Sequence, residues 1–459
     1  MIAEKATKRD HWIEALKSLS SYGSLLPAQV ELLGRVYDSL RNAQRKVAVF
    51  VAPPAAGKTH AICLLADYLS MSNAVAIVVP SNYLKKEFRD EFKNIRSKPR
   101  GIDVLSIFEF LRNSKEYDFV LVDESHNLKS FIELDVSVVR TITITAEDTA
   151  SQDLEAVYLR LGRRFSAQQI SYGSAAGILA LLKGTRHAAN LRPILRSPTS
   201  WMYFVYAWRD PLTFLLKAIN TANLHGFKIP KKQLLLFSAT PLSNEELQFY
   251  CGIEPSLIQR AMPVSPASSP AQTSSLYLST RDQLNASQKL RIVRRLLRET
   301  RVRTLILLNN TNHVKDLATH LDKKRLVAAS GPHMQRMKDF RQFMARKAAV
   351  LLTSSSVFWE GITIKGVRLL IISEPPFPRP PLLDLHRKQV TDGRPDIERR
   401  LEQGVGRIAR RPEDRAVCIL LFSVGKLLPR PSMYFTKRNL FKELPARIIV
   451  QRAVEYLRT

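Results

Sequence analysis

Apolar residues along the chain gather into short dense runs, separated by longer stretches in which they recur every three or four positions. VAVFVA from Val47, AVAIVVP from Ala74, DFVLVDE from Asp118 and LLLFSAT from Leu234 are dense runs. Their alternation with amphipathic stretches predicts parallel strands joined by crossover helices. Between Phe131 and Pro230 the pattern turns to a helical period, as in LEAVYLRLGRRF and AAGILALLKGT, with aromatic residues in WMYFVYAW. A mainly helical insertion over 131–230 is expected from it. AMPVSPASSPAQTSS, from Ala261, has no apolar period and is rich in Pro, Ser and Ala, so 261–279 reads as a linker. Dense runs then resume with TLILLN at Thr304, AVLLTS at Ala349, RLLIIS at Arg368 and AVCILLFS at Ala416. The pattern predicts an α/β protein of two tandem parallel-sheet domains. Residues 1–130 and 231–260 form the first, carrying the insertion, and 280–459 form the second.

A length of 459 residues agrees with this division, since about 150 residues per domain gives two to four domains. The dense runs are far shorter than the roughly 20 apolar residues of a membrane span, and the N-terminal residues lack the pattern of a secretory signal. No membrane association is expected, and the cytoplasm or nucleoid is the expected location. Cys63, Cys251 and Cys418 stand apart in apolar surroundings, which predicts buried thiols rather than disulfides or a Cys-pair zinc site.

Charge adds a partner. The formal net charge is +29, and residues 281–459 carry about +21 of it. Such an excess points to a polyanion, with nucleic acid the first candidate.

The chemistry begins at APPAAGKT, comprising Ala52, Pro53, Pro54, Ala55, Ala56, Gly57, Lys58 and Thr59. It follows an apolar run and precedes a helical stretch, the order of a phosphate-binding loop. There, backbone N–H groups at a helix N-terminus cradle phosphate oxygens, Lys58 neutralises the β- and γ-phosphates of ATP, and the Thr59 hydroxyl binds Mg²⁺. VLVDESHN then places Asp123 and Glu124 at the end of a different strand. Phosphoryl transfer to water needs such a pair, Asp123 to hold Mg²⁺ and Glu124 to orient and deprotonate the water. His126 on its own reads as a surface or structural histidine.

APPAAGKT, DESH and the SAT of Ser238, Ala239 and Thr240 resemble motifs I, II and III of superfamily 2 helicases, with Ala52 where the general motif has Gly. VVPSNYL resembles motif Ia, which implies nucleic-acid contacts at Pro80 and Ser81. PAQ at Pro27 puts Gln29 where relatives contact adenine. LLTSSSVFWEGITIKG and LEQGVGRIARRPEDRAVCIL resemble motifs V and VI, and with EPPFPRP at Glu374 they are similar to the DinG-like and XPD-like branch. The resemblance implies RecA-like domains with ATP between them. Gln403 would face the γ-phosphate, and Arg407 and Arg410 would bring positive charge across the cleft. Glu360 and Gly361 would join the nucleotide site to the nucleic-acid track, with Ser238, Thr240 and Thr353 as coupling residues. The hydroxyls of SAT are expected to bond the motif II carboxylates.

Members of the branch often carry four cysteines between motifs I and II that hold an iron–sulfur cluster. This chain has only Cys63 there, in a stretch too short for that domain. The implied activity is an ATP-dependent helicase or translocase, running 5′ to 3′ on single-stranded or forked nucleic acid, namely DNA. The insertion at 131–230 occupies the position of the branch's arch and is the expected surface for a protein partner. Two rivals are an ATP-driven remodeller that separates no strands, and a nucleic-acid-binding module without catalysis.

Overall fold

The dense apolar runs form strands buried on both faces, as parallel sheets require. A computed structural model describes residues 2–41, 45–53, 56–95, 101–148, 168–208, 210–224, 227–265, 275–309, 311–329, 333–354, 356–359, 364, 366–376, 381–387, 394–406, 415–430 and 435–458. With strands numbered in chain order, the first sheet is wholly parallel and runs β10 (Ile258–Arg260), β1 (Val47–Val51), β9 (Gln233–Ser238), β4 (Phe119–Val122), β2 (Val75–Val79), β3 (Ile102–Ser106). This order matters for the chemistry. The strand ending in SAT lies between the strand leading into the phosphate loop and the strand ending at Asp123, so three distant motifs emerge side by side.

The described residues from Thr59 to Asp123 include the helices Lys58–Ser70, Asn82–Glu91 and Ile107–Arg112 and the strands β2, β3 and β4. Cys63, Cys251 and Cys418 are all buried, and burial raises each thiol, Cys251 to about 12. Two N-terminal helices, Ile2–Leu19 and Pro27–Leu40, cover one face of the sheet, packing Trp12, Leu16 and Leu32 with Ile62 and Leu65.

The second sheet is also parallel and runs β13 (Leu326–Ala329), β14 (Val350–Thr353), β12 (Thr304–Leu307), β15 (Leu369–Ile372), β16 (Ala416–Leu420), β11 (Ser275–Thr280), β17 (Lys442–Leu444). Strand β11 corrects the linker at 261–279. Ser275 to Ser279 pair with β16, while Val264 still bonds the main chain of β1. The serine-rich composition hid a strand whose Ser279 and Thr280 are fully buried.

The insertion needs the larger correction. Among the described residues of 131–230 its centre is an antiparallel sheet, β5 (Val139–Ile144), β8 (Asp210–Asn220), β7 (Trp201–Trp208), β6 (Gln168–Ile170). AAGILALLKGT does give a helix, Tyr172–Leu182, whereas LEAVYLRLGRRF lies outside the described residues. WMYFVYAW became a strand because both its faces are buried. Phe204 and Tyr206 enter the core of the first domain, and Trp201, Tyr203 and Val205 pack under the helices Tyr172–Leu182 and Ala188–Arg196. With apolar neighbours on either side no alternation survives in sequence, and a short run buried on both faces does not distinguish strand from helix. Among the described residues no helix is long and apolar enough to cross a membrane.

The second domain also reaches into the first. Leu382, Leu383 and Leu385, on the short helix Leu382–His386, belong to the core beneath the first sheet. The N–H of Leu382 donates to Glu133 (2.9 Å), and that of Leu383 to the Tyr250 hydroxyl (3.2 Å).

Candidate active site

At the end of β1, the Ala52 N–H donates to the Ser238 carbonyl (3.1 Å), tying the phosphate loop to SAT. Pro53 ends this described stretch; Pro54 and Ala55 lie outside the described residues. Ala56 is buried, and Gly57 caps the helix Lys58–Ser70 at φ +74°. A Cβ there would stand 2.4 Å from the Gln29 amide nitrogen, so both backbone and space require glycine. Gln29 donates to the Gly57 carbonyl (3.1 Å) and accepts from the Leu26 N–H (2.8 Å). Its amide thus braces the loop from beneath. Lys58 is buried, with Nζ 3.3 Å from the Ala52 carbonyl and 3.9 Å from Glu124 Oε1. Thr59 follows in the first helical turn, half-buried.

Asp123 is 3% exposed, held by its N–H on the Val78 carbonyl (2.9 Å). Burial pushes its carboxyl up to about 7, the Glu124 charge pushes the same way, and Lys58 opposes them. Glu124 sits at φ +48°, one of two non-glycine residues with positive φ among those described. Such backbone costs on the order of 1–3 kcal/mol and gathers at functional sites. Magnesium takes hard oxygen donors, one or two from protein and the rest from phosphate and water. Asp123 and Thr59 fit that donor set, and a nearby cation would favour the charged form of a buried Asp123.

The SAT hydroxyls depart from expectation. Ser238 Oγ lies 2.9 Å from His126 Nδ1, and His126 Nε2 lies 3.1 Å from the Asn127 amide, which also donates to the Glu124 carbonyl (3.1 Å). The link from motif III to motif II therefore runs through the histidine. Ser238 Oγ accepts from the Thr240 N–H (3.0 Å), and Thr240 Oγ1 accepts from the Gln403 amide of the second domain (3.2 Å). Buried hydrogen bonds thus form a line from motif II to motif VI.

Beside that line is an ion cluster that sequence reading missed. Glu246 and Lys129 of the first domain meet Asp396 and Arg399 of the helix Arg394–Val405. Arg399 bonds both Glu246 oxygens (3.0 and 2.7 Å) and Asp396 (3.1 Å); Lys129 bonds Asp396 (2.9 Å) and Glu246 (3.3 Å). Burial alone would raise the Glu246 carboxyl, but Arg399 and Lys129 outweigh it and hold it at about 2. Asp396, Arg399 and Gln403, spaced three and four apart, turn one helix face to the first domain. That spacing was the available signal.

The remaining candidates divide. Ser81 caps the helix Asn82–Glu91, accepting from the Leu84 N–H (3.3 Å), after a buried Pro80. Two residues on, the Tyr83 ring meets Phe340 of the second domain edge-on at 6.0 Å. Thr353 is fully buried, its hydroxyl donating to the Ala329 carbonyl (3.0 Å), a bond that joins two strands. Trp359 is core, its indole N–H on the Leu308 carbonyl (3.3 Å), and a Cβ on Gly404 would lie 2.8 Å from its ring. Glu360, Gly361, Arg407 and Arg410 lie outside the described residues.

Residues 293–423 match the model of a helicase C-terminal domain family. A further match, 31% identical over 159 residues, is to the ATP-dependent DNA helicase YoaA of Haemophilus influenzae, covering 31% of this chain and 25% of that protein. Over these parts of its length the chain is similar to helicases. The match spans about a quarter of the length of that curated relative. In fold, the chain resembles a solved XPD helicase, with TM-score 0.57, 14% identity, and coverage of 92% of this chain and 100% of the other. S. cerevisiae Dbp5 bound to RNA and ADP BeF3 has TM-score 0.51, 13% identity, and coverage of 95% and 94%. The two parallel sheets are accordingly tandem RecA-like domains.

Proposed function

We propose that the protein hydrolyses ATP between its two RecA-like domains and uses the cycle to move 5′ to 3′ along single-stranded DNA, opening forked duplexes. The observation that carries this reading is the line of hydrogen bonds from Glu124 through His126, Ser238 and Thr240 to Gln403, because a nucleotide bound at the phosphate loop would be felt by the second domain. In this reading Lys58 neutralises the β- and γ-phosphates and the loop N–H groups orient them. Glu124 positions and deprotonates the attacking water. Mg²⁺, held by Thr59 and Asp123, would supply charge neutralisation on the phosphates. Arg407 and Arg410, which follow the Asp396–Gln403 helix in sequence, stabilise charge on the transferring group. Pro80 and Ser81 meet the strand, and the protein works in the cytoplasm or on the nucleoid.

The test is ATP turnover with and without single-stranded DNA and RNA. Stimulation by DNA that Lys58→Ala removes is the expected result. An ATP-independent DNA binder would show the same affinity in both proteins and no turnover in either.

A remodeller that separates no strands is the second reading. It is favoured by the sheet strands and flanking helices into which the described residues of Thr59–Asp123 are built, the position at which relatives carry the domain associated with unwinding. The outer helices of the insertion would then dock a protein partner. A fork-unwinding assay run beside a protein-displacement assay distinguishes the two.

A further inference from the structure

The second domain contains a cavity of about 490 Å³ away from the nucleotide site. It opens where β13 and β14 begin, whereas the motif residues follow strand ends. A four-residue strand separates those edges by about 13 Å. Arg294, Arg298, Arg301, Arg325 and His320 line it, and Asp322 is the single acid among the lining residues.

These cations differ in employment. Arg325 is bound to the fold through the carbonyls of Ala348 (2.8 Å), Leu297 (2.6 Å) and Val302 (3.2 Å), and Arg294 donates to the His320 carbonyl (2.8 Å). Arg298 and Arg301 are exposed, and no hydrogen bond or ion pair within the described residues engages their side chains. One arginine would suit the negative end of the helix Ala286–Thr300, but this cluster exceeds that need and repels itself.

Arg301 also carries strain. It ends that helix in the left-handed region at φ +45°, where glycine is the unstrained choice. Among the described residues the other non-glycine in such a conformation is Glu124, in the candidate active site. Arg294 and Arg298, four apart, share one side of the helix, and Arg301 at its end lines the same cavity. Planar forks gathered in this way suit phosphates.

We propose that this cavity is a second phosphate-binding site for a nucleic-acid backbone, on the edge of the second domain opposite the nucleotide cleft. The proposal rests on the reading that the protein works on nucleic acid. It assigns part of the +29 charge to a surface apart from the motif residues.

The test is binding of fluorescent single-stranded DNA across a salt series by the full chain, by Arg298→Gln with Arg301→Gln, and by the control Lys442→Gln with Arg447→Gln. The control removes the same charge from exposed positions of the same domain. The cavity variant should show a salt slope shallower by about 1.4, at roughly 0.7 for each phosphate no longer neutralised, with turnover in the absence of DNA unchanged. The control should keep the wild-type slope. Arg301→Gly should lower the slope by about half as much while raising the melting temperature, a pairing that a structural role would not give.

Equal slopes in the cavity variant and the control overturn the second site, and leave the ATPase reading standing if wild-type turnover still responds to DNA. Loss of poly-glutamate binding in the cavity variant with an unchanged DNA slope overturns it too, and gives the cavity to an acidic protein segment. Failure of the wild type to bind DNA at any salt concentration overturns both.

Discussion

The two RecA-like domains share a topology but divide the labour. In the first, the candidate site is made of buried polar groups packed at strand ends: Lys58, Asp123, His126, Ser238 and Thr240 are all at most 8% exposed. The second holds most of the net charge and presents its part of the site on one helix, through Asp396, Arg399 and Gln403. Under the proposed function a site divided in this way is complete only when the halves meet, so one domain should control binding of ATP and the other its turnover.

The sharpest way to break this comparison is to disable each half separately. Lys58→Ala should abolish hydrolysis and weaken nucleotide binding, whereas Glu124→Gln should abolish hydrolysis and retain nucleotide. Fluorescent-nucleotide binding measured beside phosphate release tests this, and near-normal turnover by either variant would remove the first domain's claim. Arg407→Ala or Arg410→Ala should slow hydrolysis by roughly 10³ to 10⁵ with little change in binding, and Lys at 407 should restore little, lacking the planar fork. Equal losses in binding and turnover would mean that the domains do not divide the work.

The ion cluster offers a finer test. Arg399→Met leaves Glu246 buried without its main partner, and breaking such a pair costs about 3–5 kcal/mol. A lower denaturation midpoint should accompany slower turnover, and adding Glu246→Met should recover much of the stability. No change in the single variant would show that the ion pair contributes nothing to stability. A pH series separates the same pairing from general acid unfolding. Because Glu246 is held at about 2, below its ordinary 4.5, its stabilisation is present above that ordinary value and fades as pH falls from 4.5 towards 2. The gap in stability between wild type and Arg399→Met should narrow through that window. The smallest effect expected is for Gln403→Ala, which removes one hydrogen bond to Thr240 worth about 1 kcal/mol. Its signature should be weaker coupling between DNA binding and turnover rather than lost stability.

How legible each part was in sequence follows from distance along the chain. The phosphate loop and the motif II acids are local: a strand, a few loop residues and a helix, each with its own pattern. Most strands of the two parallel sheets were readable because they are continuous apolar runs. The ion cluster was hidden because its partners are 117, 153 and 267 positions apart, and no local period marks such a meeting. The sheet in the insertion was hidden for the opposite reason, since burial on both faces of β7 erased the alternation that would have marked a strand. His126 was undervalued because its worth lies in Ser238, which only the pairing of β9 with β4 brings close.

The three leucines at 382, 383 and 385 have a consequence for synthesis. Chains emerge N-terminus first, and domains generally fold as they are completed. Here the first domain's last strand ends at Arg260, yet its core stays open until residues more than a hundred positions later arrive. Replacing even one such buried leucine by alanine costs about 2–5 kcal/mol, so a nascent first domain would wait on the ribosome with an apolar hollow facing outward. A chain stopped at Ser275 would keep that hollow for good. It would be prone to clump, and any activity it lacked would reflect missing leucines as much as missing arginines.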